Sequence, residues 1–250
     1  MSQSGIECNI SHTLDSSWQI PADANMTAND LPDLAPPGGR AVRVAASRRT
    51  GTVLPSPLWK RAMDIVGAIL GLVIFSPLFL AVAVLIKCAS PGPVFFRQRR
   101  FGAAGRPFIL WKFRTLAINE ASARHRSHVS DLMDSNLPLK KRDYELEIIP
   151  GCRLLRKLGL DELPQLINVL KGDMSLVGPR PDVVPLRNYR AWQQRRFDVV
   201  PGITGLWQVC GKNDTTFATM MRMDVLYVRR RSFWLDVTIL LRTIPAIVRS

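Results

Sequence analysis

The feature that most restricts the possible folds of this chain is an uninterrupted apolar run from Ile65 to Ile86. Its 22 residues, IVGAILGLVIFSPLFLAVAVLI, contain no charged side chain. As one helix rising 1.5 Å per residue, the run would extend roughly 33 Å, enough to cross the hydrocarbon core of a bilayer. A buried helix of a soluble protein rarely combines this length with such uniform hydrophobicity. The run therefore predicts a membrane segment.

A Ser76-Pro77 pair lies at the middle of this run. Proline lacks a backbone N–H and its ring clashes with the preceding turn, so the helix should bend there. The Ser76 hydroxyl can donate to a carbonyl that the proline leaves without a partner. Two topologies are compatible with such a segment: a kinked helix that spans the membrane, or a re-entrant hairpin that enters and leaves by the same face.

Basic residues on both flanks of the run distinguish these topologies. They are Arg40, Arg43, Arg48, Arg49, Lys60 and Arg61 before it, and Lys87, Arg97, Arg99, Arg100, Arg106, Lys112 and Arg114 after it. The positive-inside rule concentrates basic residues on one side of a spanning helix, whereas here both flanks are basic. Each half of the run also reaches only about 15 Å, half of the hydrocarbon core. These observations favour the re-entrant hairpin.

The charge of the chain limits the classes of partner. The formal net charge is +14, and because residues 1–39 hold five acidic residues and no Lys or Arg, the remaining 211 residues carry +19. Such a basic chain is typical either of nucleic-acid binders or of proteins on anionic membranes. No nucleic-acid-binding module is recognisable, and the aromatic residues are not interleaved with a basic run. We therefore expect membrane lipid, and no nucleic acid, as a partner.

The chain divides into three parts that together predict an α+β fold. Residues 1–55 are a polar, acidic and then basic tail, expected to be disordered; residues 56–88 are the re-entrant membrane helix; and residues 89–250 are a small mixed α/β domain. In that domain we expect a strand that starts at 94–96 and a strand at 108–114, joined at 102–105, helices at 154–158, 163–171 and 189–197, and a polar helix and loop at 119–150. The apolar stretch 233–248 suits an amphipathic helix in the membrane interface.

Adjacent carboxylates, Asp161 and Glu162, are the first candidates for chemistry. Pro164 fits the first turn of a helix, which would place both acids at the positive end of that helix. This is also the ordinary pattern of a capped helix start with no function. Alternatively, one carboxylate acts as a nucleophile and the other as a ligand of Mg²⁺, with Arg156 nearby to hold a phosphoryl group.

Three further motifs carry candidate side chains. Lys112 and Arg114 are two positions apart on an expected strand and should share a face, with Trp111 packing on the other. Arg180 stands in the stiff turn Val177-Gly178-Pro179-Arg180-Pro181, where its guanidinium suits phosphate. Trp207 follows a second Gly-Pro loop and could stack a base. A basic strand face and two structural turns are the plainer alternatives.

Several stretches, taken in order, resemble one known family. They are SPLFL in the apolar run, SPGPVFFRQRRFG, KFRTL, LDELPQLINVLKGDMSLVGPRP and PGITGLWQVCGKND. In order and spacing they resemble the bacterial sugar transferases that prime polysaccharide assembly, the monotopic polyprenyl-phosphate phosphoglycosyl transferases. The resemblance covers about residues 57–250 and leaves only the N-terminal tail unmatched.

This resemblance implies an activity and a location. The activity is transfer of a hexose-1-phosphate from a UDP-hexose to undecaprenyl phosphate, with Mg²⁺ and release of UMP, to initiate an exopolysaccharide or related glycan. The location is the cytoplasmic face of the bacterial inner membrane, and the N-terminus shows no secretory signal. The resemblance also implies a re-entrant hairpin bent at the Ser-Pro pair. It leaves the hexose and the oligomeric state open.

Residue roles follow from the same resemblance. Asp161 matches the nucleophile that forms a covalent phosphosugar intermediate, Glu162 matches the Mg²⁺ ligand, and Arg156 matches a position that holds lipid phosphate. For Lys112, Arg114 and Arg180, phosphate binding is inferred from their chemistry and their place inside the motifs.

The sequence departs from the family pattern just before the dyad, where Leu158-Gly159 replaces the usual Thr-Ser or Leu-Ser. The alternative function from a different class is a non-catalytic, basic, membrane-anchored module that recruits a partner. That alternative accounts for the charge and the apolar run but not for the ordered motifs.

Overall fold

The computed structural model describes residues 53–116, 148–210 and 216–248. These hold the helices α1 Leu58–Ile74, α2 Ser76–Ala89, α3 Arg153–Lys157, α4 Gln165–Lys171, α5 Leu206–Cys210, α6 Phe217–Arg230 and α7 Phe233–Val248. The strands are β1 Phe95–Phe101, β2 Pro107–Phe113, β3 Ser175–Val177 and β4 Gly202–Thr204. This mixture confirms the α+β prediction. The expected tail, apart from residues 53–55, and nearly all of the expected helix and loop at 119–150 lie outside the described residues.

The apolar run forms two helices, α1 and α2, which meet at an angle of 59°. The break falls at Phe75, as the Ser76-Pro77 pair predicted. Pro77 has no N–H to donate to the carbonyl of Val73, four residues earlier, and the Ser76 hydroxyl donates to that same oxygen at 2.8 Å. Within the described ranges no single helix is long and apolar enough to span a bilayer. Taken together, the two helices of the bent pair have the length and apolar composition for it.

Buried polar side chains fasten the start of α1 to the rest of the domain. Lys60 Nζ donates to the carbonyl of Val177 at 2.9 Å and pairs with Asp236 Oδ2 at 2.6 Å. One turn later, Asp64 Oδ1 accepts from the Ser175 hydroxyl at 2.9 Å and from the backbone N–H of Leu176 at 2.8 Å. Because each group is buried and paired, these contacts fix α1 against β3 and α7.

An antiparallel hairpin of β1 and β2 confirms the predicted strands and turn. Phe96 lies opposite Lys112, and Arg100 lies opposite Phe108. The connecting turn includes Ala104, whose φ is +53°. Because directly opposite residues project to the same side of a sheet, Arg100 and Lys112 share one face of this hairpin.

The predicted helix over residues 189–197 is wrong. This stretch follows one short 3₁₀ turn, Leu186–Asn188, and is itself helical only in a second 3₁₀ turn, Gln193–Asp198. Tyr189 between them has an extended backbone, and its buried ring packs against Phe197 with the centroids 5.2 Å apart. Tertiary packing of that ring outweighs the local helical pattern.

The expected helix over 233–248 is present as α7 and begins beside the start of α1, where Phe233 packs edge-on against Trp59 with ring centroids 5.8 Å apart. Large apolar side chains remain exposed on α1, α2 and α7. They are Leu58, Val66, Ile69, Leu70, Val73, Ile74, Leu80, Val84, Phe233, Trp234, Leu241 and Ile244. Large apolar side chains exposed in such number on three helices are typical of an interaction surface.

Candidate active site

The Asp161-Glu162 dyad lies on a 3₁₀ turn, Leu160–Glu162, rather than inside a longer helix. Gly159 begins this turn with φ +66°, a left-handed conformation that glycine adopts without strain. Pro164 precedes α4 as its N-cap, so the expected position in the first turn is wrong by one residue. The two carboxylates therefore lie just before α4 and are positioned mainly by the Gly159 turn.

Glu162 is held by two cations from distant parts of the chain. Lys112 Nζ, on β2, donates to Oε1 at 2.7 Å. Arg180 donates to Oε1 at 2.5 Å and to Oε2 at 3.0 Å, so its guanidinium contacts both oxygens. Burial alone would raise the pKa of Glu162, but Arg180 and Lys112 outweigh burial and hold this pKa well below its ordinary value. Glu162 is therefore ionised at neutral pH.

Asp161 differs from its neighbour. Burial raises the pKa of Asp161; Lys112 opposes this rise, the Glu162 carboxylate adds to it, and Arg156 again opposes it. The described residues give the Asp161 carboxylate no hydrogen bond. An ionised carboxylate is a better nucleophile when its pKa is higher and when no hydrogen bond holds it. By both measures Asp161 is the better nucleophile of the two, because two cations neutralise Glu162. The two acids are thus suited to different tasks.

Arg156, at the end of α3, lies close enough for its charge to lower the pKa of Asp161. Its NH1 also donates to the hydroxyl of Thr115 at 3.4 Å. The structure thus brings together Asp161 and Glu162 with the predicted cations Lys112, Arg156 and Arg180.

Arg114 does not join this cluster, so the expectation that it accompanies Lys112 is wrong. Its buried guanidinium donates to the carbonyls of Pro91 at 2.8 Å and Ser90 at 2.9 Å. The strand β2 ends at Phe113, so the alternation that would place Arg114 on the face of Lys112 stops one residue too early. Arg114 instead secures the turn after α2.

Arg100, on β1, also lies near Glu162 and Arg180, although the sequence did not distinguish it as a site residue. Its side chain is buried, and burial lowers its pKa to about 10. Two of its nitrogens donate to Gln98 Oε1 at 3.0 and 2.7 Å, and NH1 donates to the carbonyl of Pro181 at 3.2 Å. Its neighbours around a crevice too narrow for a water molecule include Lys112, Gln165 and Arg180. Strand alternation could have identified Arg100 as a site residue, because Arg100 and Lys112 lie on the same face of the hairpin.

The turn that carries Arg180 is braced by β4. Gly178 N donates to the carbonyl of Thr204 at 2.9 Å, and Gly202 N donates to that of Pro179 at 2.9 Å. A Cβ atom on Gly178 would lie 2.8 Å from the carbonyl oxygen of Val200, so only glycine permits this approach. The backbone at the root of Arg180 is therefore rigid.

Trp207 does not offer a stacking surface of the kind considered from the sequence. Its ring packs against the buried cluster of Val183, Val184, Tyr189, Phe197, Phe217, Met220 and Met221, and its indole nitrogen is buried. The structural alternative is therefore favoured for this residue.

The dyad fits a divalent cation that is shared with a substrate. Mg²⁺ in phosphate-handling sites is commonly held by one or two carboxylates together with substrate phosphates. Glu162 accepts three hydrogen bonds, whereas a carboxylate has about four acceptor positions, so one remains on Oε2. Over the parts of the chain described, no group of three or more His, Cys, Asp or Glu side chains could hold a metal ion.

Comparison with known proteins agrees with these motifs. The model of a family described as "Bacterial sugar transferase" matches residues 56–250. The exopolysaccharide production protein ExoY of Sinorhizobium fredii is 38% identical over 208 residues, which cover 81% of this chain and 92% of the relative.

Two further relatives carry names that state a reaction. The UDP-glucose:undecaprenyl-phosphate glucose-1-phosphate transferase of Caulobacter vibrioides is 38% identical, over 86% of this chain and 75% of the relative. The UDP-N-acetylgalactosamine-undecaprenyl-phosphate N-acetylgalactosaminephosphotransferase of Aeromonas hydrophila is 40% identical, over 79% of this chain and 46% of the relative. The names of these two relatives specify different sugars.

Proposed function

The chain belongs to the bacterial sugar transferase family, and on that premise we propose that it is a phosphoglycosyl transferase. It transfers a hexose-1-phosphate from a UDP-sugar to undecaprenyl phosphate in exopolysaccharide synthesis. The observation that carries this proposal is the cluster in which Lys112 and Arg180 bind Glu162 while the adjacent Asp161 carboxylate stays free of hydrogen bonds from the described residues.

Two successive displacements at phosphorus constitute the proposed reaction. An oxygen of Asp161 attacks the phosphorus that bears the sugar, and the bond from that phosphorus to the bridging oxygen breaks, so UMP leaves with the electron pair. A phosphate oxygen of undecaprenyl phosphate then attacks the same phosphorus. The bond to Asp161 breaks, which regenerates the carboxylate and yields undecaprenyl diphosphate hexose.

The basic residues of the cluster neutralise the charge that this chemistry gathers. Lys112 and Arg180 are positioned for the diphosphate, and Arg156, next to Asp161, is positioned for the phosphate of the lipid acceptor. Glu162 keeps the two cations in place between turnovers, and it would hold Mg²⁺ together with the diphosphate. When bound, Mg²⁺ supplies further charge neutralisation on the phosphate oxygens.

The bent pair α1 and α2 is proposed to be a re-entrant hairpin on the cytoplasmic face of the bacterial inner membrane. Its support is the 59° bend, the basic residues on both flanks, and the exposed apolar side chains that α1 and α2 share with α7. A hairpin that enters only one leaflet would keep the dyad at the height of the acceptor's phosphate.

A radiolabelled UDP-sugar panel tests the function. Membranes containing the protein are incubated with undecaprenyl phosphate and each of UDP-glucose, UDP-galactose, UDP-N-acetylglucosamine and UDP-N-acetylgalactosamine. We expect label in the lipid fraction for at least one sugar, with UMP as the nucleotide product. Release of UDP would identify an ordinary glycosyltransferase, and no transfer from any sugar would favour the non-catalytic recruitment module.

A further inference from the structure

A buried arginine, Arg196, lies directly behind the turn that presents Arg180. Its guanidinium is 3% exposed and belongs to the 3₁₀ turn Gln193–Asp198. NH2 donates to the carbonyl oxygen of Arg180 at 2.6 Å and lies 2.8 Å from Asp224 Oδ2, and NH1 donates to Asp182 Oδ2 at 3.2 Å. One planar side chain thus joins the Arg180 backbone to two buried carboxylates.

Asp182, one of the two carboxylates around Arg196, is itself held by hydrogen bonds. Asp182 accepts from the Tyr189 hydroxyl at 2.7 Å and from the N–H of Val183 at 2.7 Å. Burial raises the pKa of Asp224 to about 6, so Asp224 remains ionised and paired with Arg196 at neutral pH. Removal of one partner from such a buried set leaves an uncompensated charge. The orientation of the Arg196 guanidinium is therefore strongly determined.

Two arginines support consecutive peptide carbonyls of the same turn. Arg196 donates to the carbonyl of Arg180, and Arg100 donates to that of Pro181. From this supported backbone the Arg180 side chain reaches both oxygens of Glu162. Such a two-point contact requires the guanidinium plane of Arg180 to be correctly placed. That placement depends on the position of the Arg180 backbone.

We propose that Arg196 is a positioning residue for Arg180: it fixes the backbone from which Arg180 contacts Glu162 and the substrate diphosphate. This inference rests on the proposed function and names a component of the same site. Arg196 is buried behind the turn and contacts no substrate, so its effect on catalysis passes through Arg180.

The test is a double-mutant cycle between Arg196→Lys and Arg180→Lys. Lysine at 196 keeps the charge, but one ammonium cannot reproduce the planar fork that joins three acceptors. We expect Arg196→Lys to lower kcat/KM for the UDP-sugar by about tenfold to a hundredfold, as displacement of a binding group does. In the Arg180→Lys background, which lacks the guanidinium that Arg196 positions, the same substitution should change kcat/KM by less than about twofold.

The matched control is Arg195→Lys, because Arg195 is the exposed neighbour and should leave kcat/KM unchanged in both backgrounds. Thermal unfolding of each variant reports whether the fold is retained. If Arg196→Lys does not fold, Asp224→Asn replaces it in the cycle, since this change weakens the hold on Arg196 without altering Arg196 itself.

An equal loss in both backgrounds, or an unchanged kcat/KM for Arg196→Lys beside wild-type Arg180, would overturn the positioning role. If the wild-type protein transfers sugar phosphate but the cycle gives either of these results, only the proposed role of Arg196 is overturned. Wild-type protein that transfers no sugar phosphate from any UDP-sugar would overturn the proposed function as well, so the two failures are distinguishable.

Discussion

Glu162 and Arg180 form a two-point ion pair in which the guanidinium contacts both carboxylate oxygens, at 2.5 and 3.0 Å. Lys112 adds a third contact to Oε1 at 2.7 Å. The pair joins the dyad turn to the Gly-Pro turn after β3, and Lys112 connects it to the β hairpin. A substrate diphosphate can replace Glu162 as the partner of either cation, so the pair organises the site before substrate binds.

Removal of Lys112 should greatly reduce catalysis. Lys112→Ala removes a cation that contacts Glu162 and lowers the pKa of Asp161. We expect kcat to fall by about a hundredfold to a thousandfold, the usual effect of losing one group that stabilises transition-state charge. Lys112→Arg, which retains the charge, should recover part of that activity. Steady-state transfer assays measure both, and full activity of Lys112→Ala would contradict the assigned role.

The first half-reaction should slow as the pH falls. Asp161 must be ionised to attack, and burial raises its pKa above the ordinary value of 3.8. The rate of UMP release from a UDP-sugar without acceptor should therefore decrease on the acid side, with an inflection above that value. Omission of undecaprenyl phosphate removes the titration of the acceptor from the profile. A rate that stays constant down to about pH 4 would argue against Asp161 as the nucleophile.

The backbone at Gly159 predicts a small, specific loss of stability. Its φ is +66°, and a Cβ atom added there would meet nothing within 4 Å, so the cost of a side chain lies in the backbone alone. Gly159→Ala should lower the free energy of unfolding by about 1 kcal/mol. Gly159→Asn should lower it less, because asparagine tolerates this conformation better. Chemical denaturation measures both variants; equal stability of Gly159→Ala and wild type would exclude a left-handed Gly159.

Both ends of the bent helical pair should lie on the cytoplasmic side. Cys88 is an exposed thiol near the end of α2, and Ser56→Cys introduces a second one before α1. With the other cysteines replaced by serine, a membrane-impermeant maleimide should label both positions only after the inner membrane is permeabilised. Labelling of one position in intact cells, with the other protected, would show a spanning helix instead.

Local sequence signals were sufficient for the bend and the strands. The Ser76-Pro77 pair marks the break because one residue lacks a donor and the other replaces it at the carbonyl of Val73. The start of a strand at 94–96, the turn at 102–105 and the alternation over 108–114 likewise predict the hairpin. The bend depends on contacts within four residues, and the hairpin begins from a turn of a few residues, so both can be inferred from the order of residues.

Long-range contacts account for what sequence reasoning missed. Arg100 and Arg196 look like ordinary basic residues, and only the fold brings them to the carbonyls of Pro181 and Arg180. Arg114 was placed with Lys112 because strand alternation was extended one residue past Phe113. The dyad itself was recognisable, whereas its pairing with Lys112, which is 50 residues away from Glu162, required the tertiary structure.

The covalent phosphosugar intermediate on Asp161 is tested most directly by peptide mass spectrometry. Purified protein is mixed with its UDP-sugar and Mg²⁺ in the absence of undecaprenyl phosphate, then quenched and digested. With a covalent intermediate on Asp161, we expect a mass increase of one hexose-phosphoryl group on the peptide containing Asp161, UMP in an amount equal to that of the protein, and neither signal in Asp161→Asn. Two results would contradict the covalent intermediate. One is transfer of sugar phosphate to lipid by protein that never carries this adduct, and the other is transfer by Asp161→Asn at the wild-type rate.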